Sequence, residues 1–318
     1  MTGTASPVTA IAIGICTYHR PEALRALLGT ITHMITNEQI DAGVGIVVVD
    51  DSPEADARAI VEAFGVEASR DEACAALDVV YANTASSNIS VARNRALELA
   101  RELGDVVLCI DDDCIPRPGW ITELVAAATV TGADIVVGHR QFVAPAGAPQ
   151  WLRDEPFLQE NELYDDLCEP AVGNIANVLI RSRWLAESGV RFRDSFGKTG
   201  SEDMVFLADA ADAGAVVRFS AKSVVDEPCA TERITLGYHL WRQFWLGNGE
   251  AQINRTLRTL SPPRMVLRGA RRVARGVVHT PVCLVRHRTA QWRWALALTA
   301  SGVGLIAGVA GIRLKHHS

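Results

Sequence analysis

The hydrophobic residues of the chain form short continuous runs that alternate with amphipathic stretches. The β-branched runs, typical of strands buried on both faces, lie at residues 11–17, 44–49, 77–81 and 106–110. The stretches with apolar residues at helical spacing lie at 21–35, 53–64, 89–103 and 120–130. Because strand and helix alternate, the pattern predicts an α/β protein with a mostly parallel central sheet and helices on both faces.

The regular alternation loosens after a strand predicted at 135–137. Residues 144–170 contain four prolines and an acidic cluster, which predicts a long, partly ordered loop beside the site. The later elements predicted are a strand at 176–181 and helices at 184–187 and 203–213. The clearest boundary is Ser261-Pro262-Pro263, so we expect an N-terminal extension at 1–9, a domain at 10–260 and a helical tail at 261–318.

Charge is distributed very unevenly along the 318 residues. Residues 251–318 carry 12 Lys and Arg and no Asp or Glu, whereas the first 250 carry 19 basic and 37 acidic residues. A body this acidic is unsuited to nucleic-acid binding, which needs a basic face, so no nucleic-acid partner is expected. The basic tail instead calls for an acidic partner or surface.

The cysteines and the N-terminus indicate the compartment. The seven cysteines form no CxxC pair and several lie in apolar runs, which favours reduced, buried thiols in a cytosolic protein. Residues 1–10 lack the basic and apolar regions of a secretory signal.

Polar residues follow three of the predicted strands, at residues 16–20, 50–52 and 111–113. In open α/β sheets ligands bind at the carboxyl ends of the strands, so we expect these groups to converge. Three consecutive carboxylates, Asp111 to Asp113, suit a hard divalent cation completed by substrate phosphates. The alternative interpretations are a solvated acidic turn at 111–113 and a helix N-cap at Asp50-Asp51.

Two further carboxylates, Glu202 and Asp203, stand at the start of a predicted helix. One interpretation is an acidic first turn that interacts favourably with the helix dipole. The other is a carboxylate general base opposite the metal site.

In this order, the motifs resemble those of an inverting family 2 glycosyltransferase with the GT-A nucleotide-diphospho-sugar transferase fold. The stretches that carry the resemblance are 15–21, 47–52, 88–96 with its Ala92-Arg93-Asn94, Asp111-x-Asp113, 173–177 and 200–203. Within the family they look nearest to the succinoglycan-pathway glucosyltransferases. Processive members carry a QxxRW motif, which residues 242–245 do not supply, and this predicts transfer of a single sugar.

The resemblance also implies roles for particular residues. Asp203 is the expected base, with Glu202 beside it, and Asp111 and Asp113 are the expected ligands of Mn²⁺ or Mg²⁺. The residues implied in donor binding are Thr17, Tyr18, Arg20, Asp50, Asp51, Ser90, Arg93, Asn94 and Asp112. The residues implied on the acceptor side are Gly173, Asn174 and Trp151.

The function implied is metal-dependent, inverting transfer of one sugar from a nucleotide-diphosphate sugar, with a UDP-sugar favoured. The acceptor would be a lipid-linked or membrane-proximal glycan in polysaccharide or cell-envelope biosynthesis. One alternative is a sugar nucleotidyltransferase, although residues 17–22 lack the glycine-rich loop expected there. The other is a non-catalytic scaffold that binds nucleotide sugars, against which the retention of Asp111, Asp113 and Asp203 argues.

The tail ends in an uncharged stretch at 294–312, long enough to cross a bilayer and containing a GxxxG at Gly304 and Gly308, which would let two such helices pack closely. Three placements stay open: a helix lying on the membrane, one spanning it, and one buried in the protein. We expect the chain at the cytoplasmic face of the cell membrane, bound to an anionic surface through this tail. A homodimer is also left open.

Overall fold

The computed structural model describes residues 7–70, 74–157, 164–170, 173–285 and 291–314, with only the backbone at 284–285. The strands are β1 (Ala10–Thr17), β2 (Gly43–Asp50), β3 (Asp78–Asn83), β4 (Val106–Asp111), β5 (Ile115–Pro116), β6 (Ile135–Val143), β7 (Asn177–Arg181) and β8 (Val217–Pro228). The helices are α1 (Pro21–Asn37), α2 (Arg58–Ala68), α3 (Ile89–Ala100), α4 (Trp120–Thr131), α5 (Gln150–Asp154), α6 (Ser182–Ser188), α7 (Glu202–Asp212), α8 (Leu236–Leu257), α9 (Pro262–Val285) and α10 (Trp292–Val309).

The described strands form a mixed sheet in the order β3-β2-β1-β4-β7-β6-β8-β5. The pairs β2–β3, β1–β2 and β1–β4 are parallel, whereas β4–β7, β6–β7 and β5–β8 are antiparallel. The predicted α/β class is therefore confirmed, and the parallel part of the sheet is the half formed by β1 to β4. A buried apolar strand looks alike in either direction, so the hydrophobic pattern carries no sign of the antiparallel half.

Helices cover both faces of the sheet, as expected. Ile13 of β1 belongs to a core cluster that includes Leu28 of α1 and Trp120 of α4. The preceding residue, Ala12, belongs to a second core cluster on the other face of the sheet, which includes Phe206 of α7. This alternation is the two-residue period of a strand buried on both faces.

The chain divides into two compact units, and the first comprises residues 1–141, 160–198 and 202–227. The second comprises 142–159, 199–201 and 228–318. In the second unit α10 packs along both α8 and α9. The expected boundary between 260 and 261 lies inside this second unit, between α8 and α9, and it stays a prediction.

One helix prediction was wrong at its start, because α2 begins at Arg58 rather than at residue 53. The carboxylate of Asp50 accepts a hydrogen bond from the Ala57 backbone N–H at 3.0 Å, and the Asp56 backbone N–H donates to the Ser52 hydroxyl at 3.3 Å. These contacts hold residues 51–57 as a loop. The predicted loop at 144–170 contains the short helix α5, and residues 158–163 of it lie outside the described residues.

Candidate active site

The three polar strand ends lie at one edge of the parallel half of the sheet. β1 is paired with β2 and β4, and its register places Thr17 opposite Asp50 and Cys16 opposite Asp111. The carboxyl ends of these neighbouring strands therefore come together, as the sequence predicts. A ligand site is therefore expected at this edge of the first unit.

Arg93 of α3 is buried at this edge and contacts three carboxylates. Its Nη1 donates to Glu202 Oε1 at 2.7 Å and to Asp203 Oδ1 at 2.9 Å. Its Nη2 donates to Asp111 Oδ1 at 3.1 Å. One guanidinium thus joins the end of β4 to the first turn of α7, two segments about ninety residues apart. The family resemblance implies a donor-binding role for Arg93, which stays a prediction. In the structure its guanidinium lies between three carboxylates.

The two carboxyls on α7 have opposite shifts in pKa. Burial raises the pKa of Glu202, and the adjacent charge of Asp203 raises it further, so Glu202 retains its proton more readily than an ordinary glutamate. Burial acts on Asp203 in the same direction, but Arg93 and a hydrogen bond from Glu202 outweigh it and lower the pKa. The pair therefore favours a protonated Glu202 beside an ionised Asp203, which is the state needed of a base.

Arg20 and Asp112 organise the other side of the β4 end. Arg20 Nη1 donates to Asp112 Oδ1 at 3.0 Å and to Asp113 Oδ2 at 2.7 Å. Thr17 Oγ1 donates to the other oxygen of Asp112 at 2.7 Å. Burial raises the pKa of Asp112 to about 6, although Arg20 and Thr17 oppose that shift. Asp112 thus fixes the side-chain positions of Thr17 and Arg20.

Asp111 and Asp113 differ from Asp112 in their accessibility. Their side chains are 33% and 31% exposed, and the contacts above involve one carboxylate oxygen of each. Within the described residues no group of three or more His, Cys, Asp or Glu side chains is arranged to hold a metal. A Mg²⁺-like ion is commonly held by one or two carboxylates plus substrate phosphates, so these two accessible carboxylates fit such an ion.

Asp50 and Asp51 are buried and hold the loops at the ends of β2 and β3. The carboxylate of Asp50 accepts from the Ser52 backbone and hydroxyl at 2.9 and 2.6 Å and from the Tyr81 hydroxyl at 3.1 Å. Asp51 accepts from the hydroxyl of Thr84 and from the backbone N–H groups of Ser86 and Asn88. Both aspartates therefore fix the conformation of these loops. Their contacts with a sugar donor stay a prediction.

The remaining donor-side residues are arranged around α3. The Asn94 side chain exchanges two hydrogen bonds of 2.8 Å with the backbone of Phe192, which fixes the residue that packs against Arg93. Ser90 is buried, and its hydroxyl has no partner among the described atoms. The Tyr18 hydroxyl lies 3.4 Å from that of Ser87. Roles in donor binding stay a prediction for all of them.

Asn174 has an unusual environment. It is 6% exposed, and neither its amide nitrogen nor its carbonyl oxygen has a partner among the described atoms. The next residue, Ile175, donates its backbone N–H to Asp203 at 3.4 Å, so Asn174 is adjacent in the chain to a residue that contacts the base candidate. A buried amide that lacks partners costs free energy, which a polar ligand would recover. A side chain on the neighbouring Gly173 would collide with Leu207.

Trp151 lies in the second unit. Its ring contacts Phe157 and His239 edge-on, with centroids 5.4 and 5.9 Å away, and the guanidinium of Arg293 lies over it. These contacts give Trp151 a packing role, and its place on the acceptor side stays a prediction.

Sequence reasoning missed the ion pair between Arg140 of β6 and Glu227 of β8, which is 3.1 Å long and largely buried. The charge of Arg140 lowers the pKa of Asp203, after the larger effects of burial, Arg93 and Glu202. The only local signal was a run of three polar residues, His139-Arg140-Gln141, that interrupts the apolar pattern of β6.

The chain is similar to known proteins in both sequence and fold. The model of the family described as "Glycosyl transferase family 2" matches residues 12–187. The succinoglycan biosynthesis protein ExoM of Rhizobium meliloti is 32% identical over 243 residues, which cover 76% of this chain and 74% of the relative.

Two solved structures show the same kind of fold. The crystal structure of S. aureus TarS 1-349 in complex with UDP-GlcNAc aligns with a TM-score of 0.51 at 15% identity, covering 95% of this chain and 92% of that one. That of GalNAc-T7 with UDP, GalNAc and Mn²⁺ aligns with a TM-score of 0.53 at 15% identity, covering 81% of this chain and 52% of the other. These likenesses support the predicted GT-A type fold.

Proposed function

Because the chain belongs to glycosyl transferase family 2 and is a glycosyltransferase, we propose that it transfers a single sugar, with inversion, from a nucleotide-diphosphate sugar to a hydroxyl acceptor. The observation that carries this proposal is the position of Asp203. Arg93 donates to its carboxylate and lowers its pKa, and Arg93 also contacts Asp111 at the carboxyl end of β4. The Arg93 side chain thus links the proposed base to the strand end where the sugar donor would bind.

The reaction needs a base on the acceptor side of the sugar. The Asp203 carboxylate takes the proton of the acceptor hydroxyl as its oxygen bonds to the anomeric carbon. The bond from that carbon to the donor diphosphate breaks on the opposite face, and its electrons leave with the nucleoside diphosphate. Glu202, which retains its proton, donates to Asp203 and keeps the second negative charge out of the buried site. Binding both substrates in one orientation removes much of the entropic barrier.

Asp111 and Asp113 would hold a divalent cation, Mn²⁺ or Mg²⁺, against the donor diphosphate. Such an ion supplies neutralisation of the charge that develops on the leaving group. Arg20 lies 2.7 Å from Asp113, and its guanidinium is available for the same diphosphate once the donor is present. This part of the proposal is supported by the accessibility of the two carboxylates and by the Mn²⁺ in the GalNAc-T7 structure.

The relatives and Asn174 support particular classes of donor and acceptor. The TarS and GalNAc-T7 structures contain UDP or a UDP-sugar, which favours a UDP-sugar donor here. The name of ExoM places that relative in succinoglycan biosynthesis, which favours polysaccharide biosynthesis and a lipid-linked or membrane-proximal glycan acceptor. The unpartnered amide of Asn174 would bind a sugar hydroxyl next to Asp203.

A location at the cytoplasmic face of the membrane is part of the proposal. The described helix α10 is long and apolar enough to cross a bilayer, with a mean hydropathy of 1.2 over residues 292–309.

The decisive experiment measures transfer and donor binding on the same protein. Purified chain is screened by thermal shift against nucleoside diphosphates and UDP-sugars with and without Mn²⁺, and turnover is followed as release of UDP. Asp203→Asn should reduce turnover by at least about 1,000-fold while donor affinity changes little. Asp212→Asn, the same change at an exposed position of α7, is the matched control and should behave as the parent.

Other results would replace the proposal. Normal turnover by Asp203→Asn removes that residue from its role. Release of pyrophosphate from a nucleoside triphosphate and a sugar phosphate indicates a nucleotidyltransferase. Donor binding without turnover for any donor and acceptor indicates a scaffold.

A further inference from the structure

The helix α9 has three distinct faces. With about 3.6 residues per turn, Met265, Gly269 and Gly276 lie on one side, and all three are buried. A side chain on Gly269 would collide with α10, so this face packs inside the second unit. The other two faces are exposed and differ sharply in character.

The first exposed face is an arginine stripe. It lines a groove of about 660 Å³ whose basic residues are Arg264, Arg268, Arg271, Arg272 and Arg275. Glu250 of α8 pairs with Arg268 and Arg272 at 3.2 and 2.6 Å. In the described part of the chain, no carboxylate lies within ion-pair distance of the remaining three. The groove therefore presents an excess of positive charge together with leucine side chains.

The second exposed face is apolar. Val266, Leu267, Val277 and Val278 are 40%, 50%, 58% and 62% exposed, and they lie on the same side of the helix, with the exposed Ala270 and Ala274 between the two pairs. This apolar stripe adjoins the arginine stripe along the length of α9. A helix with this pair of faces is typical of one that lies in a membrane interface, its apolar side among the acyl chains and its basic side among anionic headgroups.

The uncharged helix α10 is held inside the second unit. A side chain on Gly304 would overlap the Phe244 backbone of α8, and one on Gly308 would lie 2.8 Å from the Asn248 carbonyl oxygen of α8. The GxxxG glycines thus serve contacts within the chain. Withdrawing α10 to span a bilayer would break these close contacts, whereas the two outer faces of α9 are already exposed.

We propose that the arginine groove and apolar stripe of α9 bind the surface of a bilayer rich in anionic lipids, and that α10 stays packed against α8 and α9. This inference deepens the membrane association proposed above and does not depend on the reaction catalysed. Phosphate-bearing headgroups would occupy the groove while the stripe inserts beside them.

The test is co-sedimentation of the purified full chain with vesicles. Vesicles of phosphatidylcholine alone are compared with vesicles containing about 30% phosphatidylglycerol, at low and high salt. The variant Arg264→Gln/Arg271→Gln/Arg275→Gln should bind the anionic vesicles about 100-fold more weakly, since each arginine near the surface contributes about fivefold. Its matched control is Arg25→Gln/Arg183→Gln/Arg191→Gln, which removes three exposed arginines from the first unit and should bind like the parent.

The apolar stripe has its own variant, Val277→Ser/Val278→Ser, which should weaken binding to anionic vesicles by about tenfold. Equal losses in the arginine variant and its control would overturn the role of the groove. Retention of the full chain in cell membranes through alkaline carbonate washing would overturn the inference in favour of a spanning α10. Release of UDP measured without vesicles tests the glycosyltransferase activity separately, so either proposal can fail alone.

Discussion

Nη1 of Arg93 lies 2.9 Å from Oδ1 of Asp203 in a buried site. This contact keeps the proposed base ionised, because the positive charge opposes the effect of burial on the pKa of Asp203. It also fixes the direction of the carboxylate, since the same nitrogen contacts Glu202 at 2.7 Å. Arg93 is therefore expected to act through Asp203, as a positioning residue.

The variant Arg93→Gln should reduce turnover at neutral pH by about 100-fold or more, because the Asp203 carboxylate loses the contact that fixes its direction. The distinguishing measurement is the pH profile of kcat. Its acidic limb should move to higher pH by at least about one unit, the size expected when a close opposite charge is removed. Arg93→Lys should recover part of the shift by restoring the charge.

The matched control for Arg93 is Arg95→Gln. Arg95 lies two residues along α3, and its 47% exposed side chain pairs with Glu98. This change should leave the kcat profile as in the parent. A lower kcat in Arg93→Gln with an unmoved acidic limb would show that Arg93 does not set the pKa of the base.

Glu202 makes stability depend on pH. Its pKa is raised above the ordinary 4.5 in the folded chain, so between 4.5 and the folded pKa the folded state holds a proton that the unfolded state has released. The contribution of Glu202 to the free energy of unfolding is thus full below pH 4.5 and is lost as the pH rises through the folded pKa. The contribution of Asp203, whose pKa is lowered, is full above pH 3.8 and is lost only as the pH falls below that value.

The variant Glu202→Gln cannot ionise, so its free energy of unfolding should fall less steeply between pH 5 and pH 8 than that of the parent. The difference should grow by about 1 kcal/mol per pH unit. Denaturant unfolding at several pH values measures it, with the exposed Glu187→Gln as control. Parallel curves for the parent and Glu202→Gln would contradict a raised pKa.

Much of the first unit follows from local sequence, and the reasons are visible in its strands. The β-branched run of β4 is buried on both faces, so the sheet was predictable from that pattern. The start of α2 was not predictable in this way. Asp50 accepts a hydrogen bond from the Ala57 backbone, seven residues away, and so holds the intervening residues as a loop, whereas their hydrophobic pattern also fits a helix. Strand direction was likewise invisible for β7, whose apolar residues pack the same way in either orientation.

The candidate site shows the same division. The motif resemblance identified Asp111, Glu202 and Asp203, and the family match confirms the resemblance itself. It did not reveal that Arg93 contacts all three, because that depends on bringing α7 next to α3 across more than one hundred residues. Asp112 looked equivalent to its neighbours in sequence, and only its burial against Thr17 sets it apart.

Removing divalent cations tests the proposed roles of Asp111 and Asp113. Chelation with EDTA should abolish UDP release, and added Mn²⁺ or Mg²⁺ should restore it. Asp113→Asn should raise the Mn²⁺ concentration for half-maximal activity by at least about tenfold, since loss of a ligand exceeds typical effects of outer residues. Calorimetric titration of Mn²⁺ in the presence of UDP gives a readout independent of turnover, and an unchanged affinity would assign the ion elsewhere.

The packing of α10 can be tested at Gly304. A methyl group there would overlap the Phe244 carbonyl of α8, so Gly304→Ala should destabilise the second unit by about 1–3 kcal/mol and lower its melting temperature by several degrees. Gly237→Ala, in the first turn of α8 with no atom within 4 Å of the added methyl, should be neutral or slightly stabilising. If α10 left α8 to cross a bilayer, the Phe244 carbonyl would no longer lie next to Gly304, and alanine would be accepted there as it is at Gly237. Equal melting temperatures of the two variants in detergent would therefore indicate that α10 does not pack on α8. A clear loss confined to Gly304→Ala would instead keep α10 inside the bundle and leave α9 as the surface that meets the membrane.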